Sequence, residues 1–255
     1  MRNTIHLRLM TPLRRAAAPF SLMLALLLAL MFATSSHAFK PANVGVGEIA
    51  MLPAYCIDTE GFMYGPENSP TQSPRAPGWV SKMGRSFWAM HHYCWGLVNL
   101  NRLRFGRAET NNKRYFAKSI VNEYRYVLEN STPDFIMLPE IWMRVGEASL
   151  LAGDIGGAMD AYAKSRSIKP DYVPAYVQWA EFQMNNNRRD EARALVDEGL
   201  QNIPGSKPLL ELQRKLGPGP DKSASHRSTR PKPASAASAA IRPGAAASDA
   251  SVKAP

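Results

Sequence analysis

The sequence predicts an all-α fold: a short solenoid of antiparallel helix pairs, with an irregular N-terminal segment and a disordered C-terminal tail. Three observations carry this. Residues 139–172 and 173–206 form two consecutive 34-residue units with small, aromatic and proline residues at matching places. Upstream of them, apolar residues recur at helical spacing. The two ends of the chain have compositions that build no core.

Residues 1–38 hold Arg2, Arg8, Arg14 and Arg15, no acid, an apolar run at 20–33, and small residues ending at Ser36-His37-Ala38. That is the three-part layout of a secretory signal, with cleavage expected after Ala38. As a helix the run would reach ~21 Å, short of the ~30 Å hydrocarbon core, so export and cleavage are expected over a permanent anchor. Membrane contact is then expected only during export, and the mature protein is expected in the periplasm or outside the cell.

Residues 39–86 are rich in Pro and Gly and match no repeat. A short helix is expected at 48–52 and a loop at 69–77, which holds three Pro and two Ser. So long an irregular stretch in a compact domain needs a pin or a function.

At 87–130 a degenerate unit follows. His91-His92-Tyr93-Cys94-Trp95-Gly96-Leu97 gives a first helix, with Trp88, His92 and Trp95 on one face; Ile120, Tyr124 and Val127 mark a second. Aligning Gly96 with Gly146 and Ser119 with Ala158 leaves about 11 extra residues within 101–112. In and just after this insertion, Arg102, Arg104, Arg107, Lys113 and Arg114 face Glu109 alone, a candidate anion contact whose plain alternative is a solvated charged turn.

The two regular units carry the strongest signal. Trp142, Val145-Gly146, Ala158, Tyr162 and Pro170 in the first answer to Tyr176, Trp179-Ala180, Ala192, Val196 and Pro204 in the second. This pattern resembles the tetratricopeptide repeat, a helical hairpin that stacks on copies of itself. Small residues at Gly146 and Ala158 let the two helices approach, Gly153-Asp154 turns the chain, and Pro170 and Pro204 end each second helix because proline lacks an amide hydrogen. About three units are needed for a stable stack, which the degenerate unit and a capping helix over 208–216, with Leu209, Leu212 and Leu216, complete. Residues 217–255 are Ala, Ser, Pro, Gly and scattered Lys/Arg, and are expected to be disordered.

The net charge of +10 lies mostly outside the repeats: residues 1–38 contribute +4, 217–255 another +4, and 39–216 only +2. A nearly neutral domain excludes nucleic acid as the expected partner.

Two cysteines, Cys56 and Cys94, in an exported chain are expected to form a disulfide that pins the irregular segment. On the chain-entropy account such a closure is worth roughly 4 kcal/mol. A metal or haem site from Cys56, His91, His92 and Cys94 is disfavoured, since no C-x-x-C occurs and adjacent histidines project ~100° apart on a helix. No metal and no cofactor are expected; His92 is expected in the core and His91 near the surface.

No nucleophile-elbow, zinc-protease, phosphate-loop or EF-hand motif occurs in the sequence, and no enzymatic activity is expected. The resemblance instead implies a concave surface lined by the first helix of each hairpin. Its candidate contacts are Met143, Glu147, Leu150 and Leu151 in one unit and Val177, Glu181, Met184 and Asn185 in the next. Glu147 and Glu181 are expected to face solvent in the free protein. Together these features lead to the expectation of a non-enzymatic periplasmic adaptor that holds a protein or peptide in the repeat groove. The alternative is an envelope protein that binds cell-wall or other anionic polysaccharide through the basic turn and tail.

Overall fold

The computed structural model describes residues 39–218. The expected export signal at 1–38, and the expected tail from residue 219 on, lie outside the described residues. By contacts the chain divides into Met1–Leu216 and Gly217–Pro255; the helices below belong to the first, and only Gly217 and Pro218 of the second are described.

The chain enters through a short helix α1 (Val46–Ile49), a 3-10 turn (Ala54–Asp58), helix α2 (Ala76–Met83) and a second 3-10 turn (Gly84–Ala89). Helices α3 (Met90–Arg104), α4 (Lys113–Glu129), α5 (Leu138–Ala152), α6 (Ile155–Ile168), α7 (Val173–Asn185), α8 (Arg189–Asn202) and α9 (Lys207–Leu216) follow. They pair as hairpins α3/α4, α5/α6 and α7/α8, and α9 covers α7 and α8 as the expected cap. An isolated bridge joins Glu60 and Tyr64 in the entry segment.

The hairpin turns follow from local chemistry. Gly153 takes φ +79°, a left-handed conformation that costs glycine little, and Asp154 caps α6 by accepting from the Gly157 amide at 2.9 Å. One repeat on, Asn187 holds the same kind of conformation at φ +60°. Within the first two hairpins a tyrosine of the second helix closes on a glycine of the first. A Cβ on Gly146 would stand 2.8 Å from the Tyr162 ring, and one on Gly96 would stand 2.5 Å from the Tyr124 ring. The Tyr162 ring in turn stacks on Trp179, and Trp179 on Phe182, which links the two regular units.

The Gly96–Tyr124 contact corrects the alignment of the degenerate unit by one residue. Tyr162 lies four residues after Ala158 and Tyr124 four after Ile120, so Ile120, fully buried, holds the place assigned to Ser119. The half-buried Ser119 instead turns its hydroxyl to the Phe116 carbonyl at 2.7 Å.

The entry segment also departs from expectation at two places. Its first helix starts earlier, at Val46, because the Glu48 carboxylate turns back to accept the Gly45 amide at 3.0 Å; Glu48 stabilises the first turn instead of opening the helix. The expected loop at 69–77 ends sooner, since Ala76 and Pro77 already form the first turn of α2, where a missing amide hydrogen costs nothing.

This segment packs along α3, whose residues 91–100 are all buried. Cys56 and Cys94 stand at disulfide distance, with Cα atoms 5.6 Å apart. Beside them the buried Asp58 carboxylate accepts from Ser73 Oγ at 2.8 Å, Arg75 Nε at 3.0 Å and Trp79 Nε1 at 2.7 Å. One side chain thus gathers the chain between the 3-10 turn and α2.

Candidate partner groove

The first helices of the hairpins, α3, α5 and α7, carry the positions where a concave groove is expected. The register Gly96–Gly146 places Tyr93, Leu97, Leu100 and Asn101 of α3 at the inner positions of the degenerate unit; the first three are buried and Asn101 is half-buried. Most of that end of the surface is covered within the chain itself.

On α5 the expected groove residues divide. Met143 is buried, and so is Glu147, which corrects the expectation that this carboxylate faces solvent. It is held from two sides: Arg104 forms an ion pair with Oε1, and Arg144 Nη1 donates to Oε2 at 3.0 Å. The cause is the length of α3, which runs eight residues past Gly96, where α5 runs six past Gly146, so that Arg104 reaches the next hairpin. The chain of contacts continues from Arg144 to Glu140 at 3.6 Å and from Tyr93 Oη, which donates to Glu140 at 2.5 Å. Burial, and then the Glu140 charge, hold the Tyr93 phenol well above its ordinary range, so it remains a neutral donor.

The remaining groove candidates stay accessible. Leu151 is 40% exposed, Leu150, Val177 and Met184 are half-buried, and Glu181 and Asn185 are exposed. Leu150, Val177 and Met184 pack against the same apolar cluster as Met143 and Trp179, so α5 and α7 present them on one continuous base.

The five basic residues have different neighbours, which corrects the expectation that they face Glu109 alone. Arg102 donates to Glu48 at 2.6 and 2.9 Å and to the carbonyls of Ala42 and Asn43. Arg104 is committed to Glu147. Arg107 lies 5.9 Å from the Phe105 ring, and Lys113 and Arg114 are exposed at the start of α4, with Arg114 close to Gly153. Arg102 and Arg107 line a cleft of about 560 Å³ together with Phe39, Glu48 and Asn99.

His91 is buried, not near the surface as expected: its ring lies 4.4 Å from that of His92 and 4.8 Å from Trp95. Burial, and then the neighbouring His92, lower its pKa. His92 is buried as expected, and its Nδ1 donates to Glu123 at 2.5 Å. Among the described residues no group of three or more His, Cys, Asp or Glu is placed to hold a metal ion. Asp58 and Glu123, the two acids most deeply embedded, were missed by sequence reasoning; neither lies in a repeat signature, and an isolated acid carries no periodic signal.

A stack of helical hairpins with side chains open on successive first helices defines a binding scaffold of the repeat class. The tetratricopeptide repeat family matches residues 149–216, from the last turn of α5 through α9, and the chain carries tetratricopeptide repeats. A stretch of 107 residues is 29% identical to Protein CTR9 homolog of Arabidopsis thaliana, covering 42% of this chain and 10% of that protein. The chain thus spans about a tenth of the length of that relative. No solved structure matches the chain. Repeats of this family are typically non-enzymatic scaffolds for protein–protein interaction. Among the described residues no helix is long and apolar enough to cross a membrane.

Proposed function

We propose that this protein is an exported, periplasmic adaptor without enzymatic activity, which holds a segment of a partner protein against the C-terminal half of its repeat groove. The observation that supports this reading is the contrast along the stack. Tyr93, Leu97 and Leu100 on α3 are buried, Asn101 is half-buried and Glu147 is ion-paired within the fold, whereas Leu151, Glu181 and Asn185 are exposed beside half-buried Leu150, Val177 and Met184. An unbranched thioether and leucines adapt to varied apolar side chains, and Glu181 favours a basic one, so the fitting ligand is an amphipathic segment with apolar and Lys/Arg positions. Crosslinking from Leu151 and Glu181 in the periplasm of a producing cell tests it. A protein partner crosslinked at both sites is the expected result; capture only of envelope polysaccharide, released by moderate salt, would move the binding site elsewhere.

A further inference from the structure

Phe39 is gripped at three points. Its nitrogen donates to Oε1 of Glu123, its carbonyl accepts from Asn99 Nδ2 at 2.8 Å, and its ring meets Phe116 edge-on at 5.2 Å. Glu123 lies on α4 and is 1% exposed; its other oxygen takes the His92 donor. A carboxylate so removed from water requires charged or multiple donors. An amide at residue 39 offers one uncharged N–H. The secretory cleavage expected after Ser36-His37-Ala38, however, falls immediately before this residue.

We propose that processing after Ala38 creates a built-in ligand for Glu123: the new α-ammonium of Phe39 docks on the buried carboxylate and fastens the entry segment to the first hairpin. In the step itself a signal endopeptidase adds water across the Ala38–Phe39 peptide bond. The Ala38 carbonyl carbon takes the hydroxyl and leaves as a carboxylate, and the Phe39 nitrogen takes the protons and becomes –NH3+. The single amide donor becomes three, and the hydrogen bond to Glu123 becomes charge-assisted on both sides. Asn99 and Phe116 hold the residue in place, so the ammonium is delivered without a search. The docked terminus rests on the export proposed above and adds to it a structural role for the cut.

The full chain is produced in a secreting host and the exported product is weighed and sequenced from its N-terminus. The Phe39 amine is then modified at neutral pH with an amine-reactive reagent, and its rate is followed by peptide mass. An ammonium paired with a carboxylate has a raised pKa, and each unit of rise removes about nine-tenths of the reactive free amine. The expected result is a chain beginning at Phe39 whose amine reacts about ten-fold or more slowly in the native protein than in urea, with Glu123→Gln restoring most of the rate. Should that variant not fold, a glycine inserted between residues 38 and 39 displaces the new ammonium by ~3.8 Å and is expected to restore the reactivity. A product starting elsewhere overturns both the export cut and the docked terminus. A product starting at Phe39 whose native amine reacts as fast as in urea, or stays slow after the glycine insertion, leaves the cut standing and overturns the docking alone.

Discussion

Arg104, in the last turn of α3, forms an ion pair with Glu147 on α5, and this contact joins the degenerate hairpin to the first regular one. Arg144 binds the other carboxylate oxygen, so the acid sits between two guanidinium groups. Glu147→Lys would place a third cation there. Removing one partner of a fully buried pair costs about 3–5 kcal/mol, and because the Arg104 side chain is 40% exposed the expected loss is about 2–3 kcal/mol. Glu181→Lys, at the equivalent but exposed position, should stay within about 0.5 kcal/mol of the parent. Urea denaturation of both variants checks the pair; equal midpoints would show that it contributes nothing in solution.

Gly96 and Gly146 are fixed by close approach. Gly96→Ala and Gly146→Ala would drive a methyl group into the rings of Tyr124 and Tyr162, and each is expected to cost about 1–3 kcal/mol. Gly78 in α2 has nothing within 4 Å of where its Cβ would lie, so Gly78→Ala should gain about 0.5–1 kcal/mol through helix propensity. Thermal midpoints moving in opposite directions are the expected outcome. A neutral Gly96→Ala would mean that the degenerate hairpin is less tightly closed than the regular one.

The legible parts of the molecule were those that repeat. Gly146, Ala158 and Pro170 recur one unit later as Ala180, Ala192 and Pro204, and a periodic pattern reports packing without reference to any partner far along the chain. The cysteines were legible for another reason, since a chain with two of them has one pairing to offer. The entry segment obeys no period. It is ordered by contacts such as Asp58 with Ser73 and Trp79, or Glu48 with Arg102, whose partners lie 15 to 54 residues away. Sequence spacing holds no trace of such pairs. The same limit explains Glu147: its helical position was readable, but the arginine that buries it comes from a different hairpin.

The entry segment should respond to acid through Glu48. Hydrogen bonds from Arg102, with a further one from the Gly45 amide against the opposing effect of burial, hold its carboxyl down to about 2 from an ordinary 4.5. A carboxyl whose pKa is lower in the folded state adds stability that is complete above the unfolded value and is lost as protons bind. The contribution of Glu48 should therefore be present above about pH 4.5 and fade between there and pH 2. Hydrogen-exchange protection of residues 42–50, taken relative to the intrinsic exchange rate at each pH, should fall across this window in the parent. In Arg102→Leu protection should already be low at neutral pH and change little; a parent segment equally protected at pH 5 and pH 2.5 would remove the pair from the account.

The groove is tested by separating binding from folding, which the buried Glu147 makes impossible at that position. Leu151 and Glu181 lie on successive first helices, each exposed, so Leu151→Ser with Glu181→Lys alters the surface offered to a ligand while leaving the Met143–Trp179 cluster beneath it intact. Being surface changes, the pair should shift the unfolding midpoint by less than a degree or two, about 0.5 kcal/mol. Loss of one apolar contact and reversal of one charge at a binding surface should weaken partner capture by about ten-fold, equivalent to about 1.4 kcal/mol. Capture is measured by pull-down from periplasmic extract at moderate salt, with binding then titrated on the partner so recovered. If the folded double variant binds that partner as tightly as the parent does, the groove on α5 and α7 is not the docking surface. The exposed cations Arg107, Lys113 and Arg114 would then be the next residues to reverse.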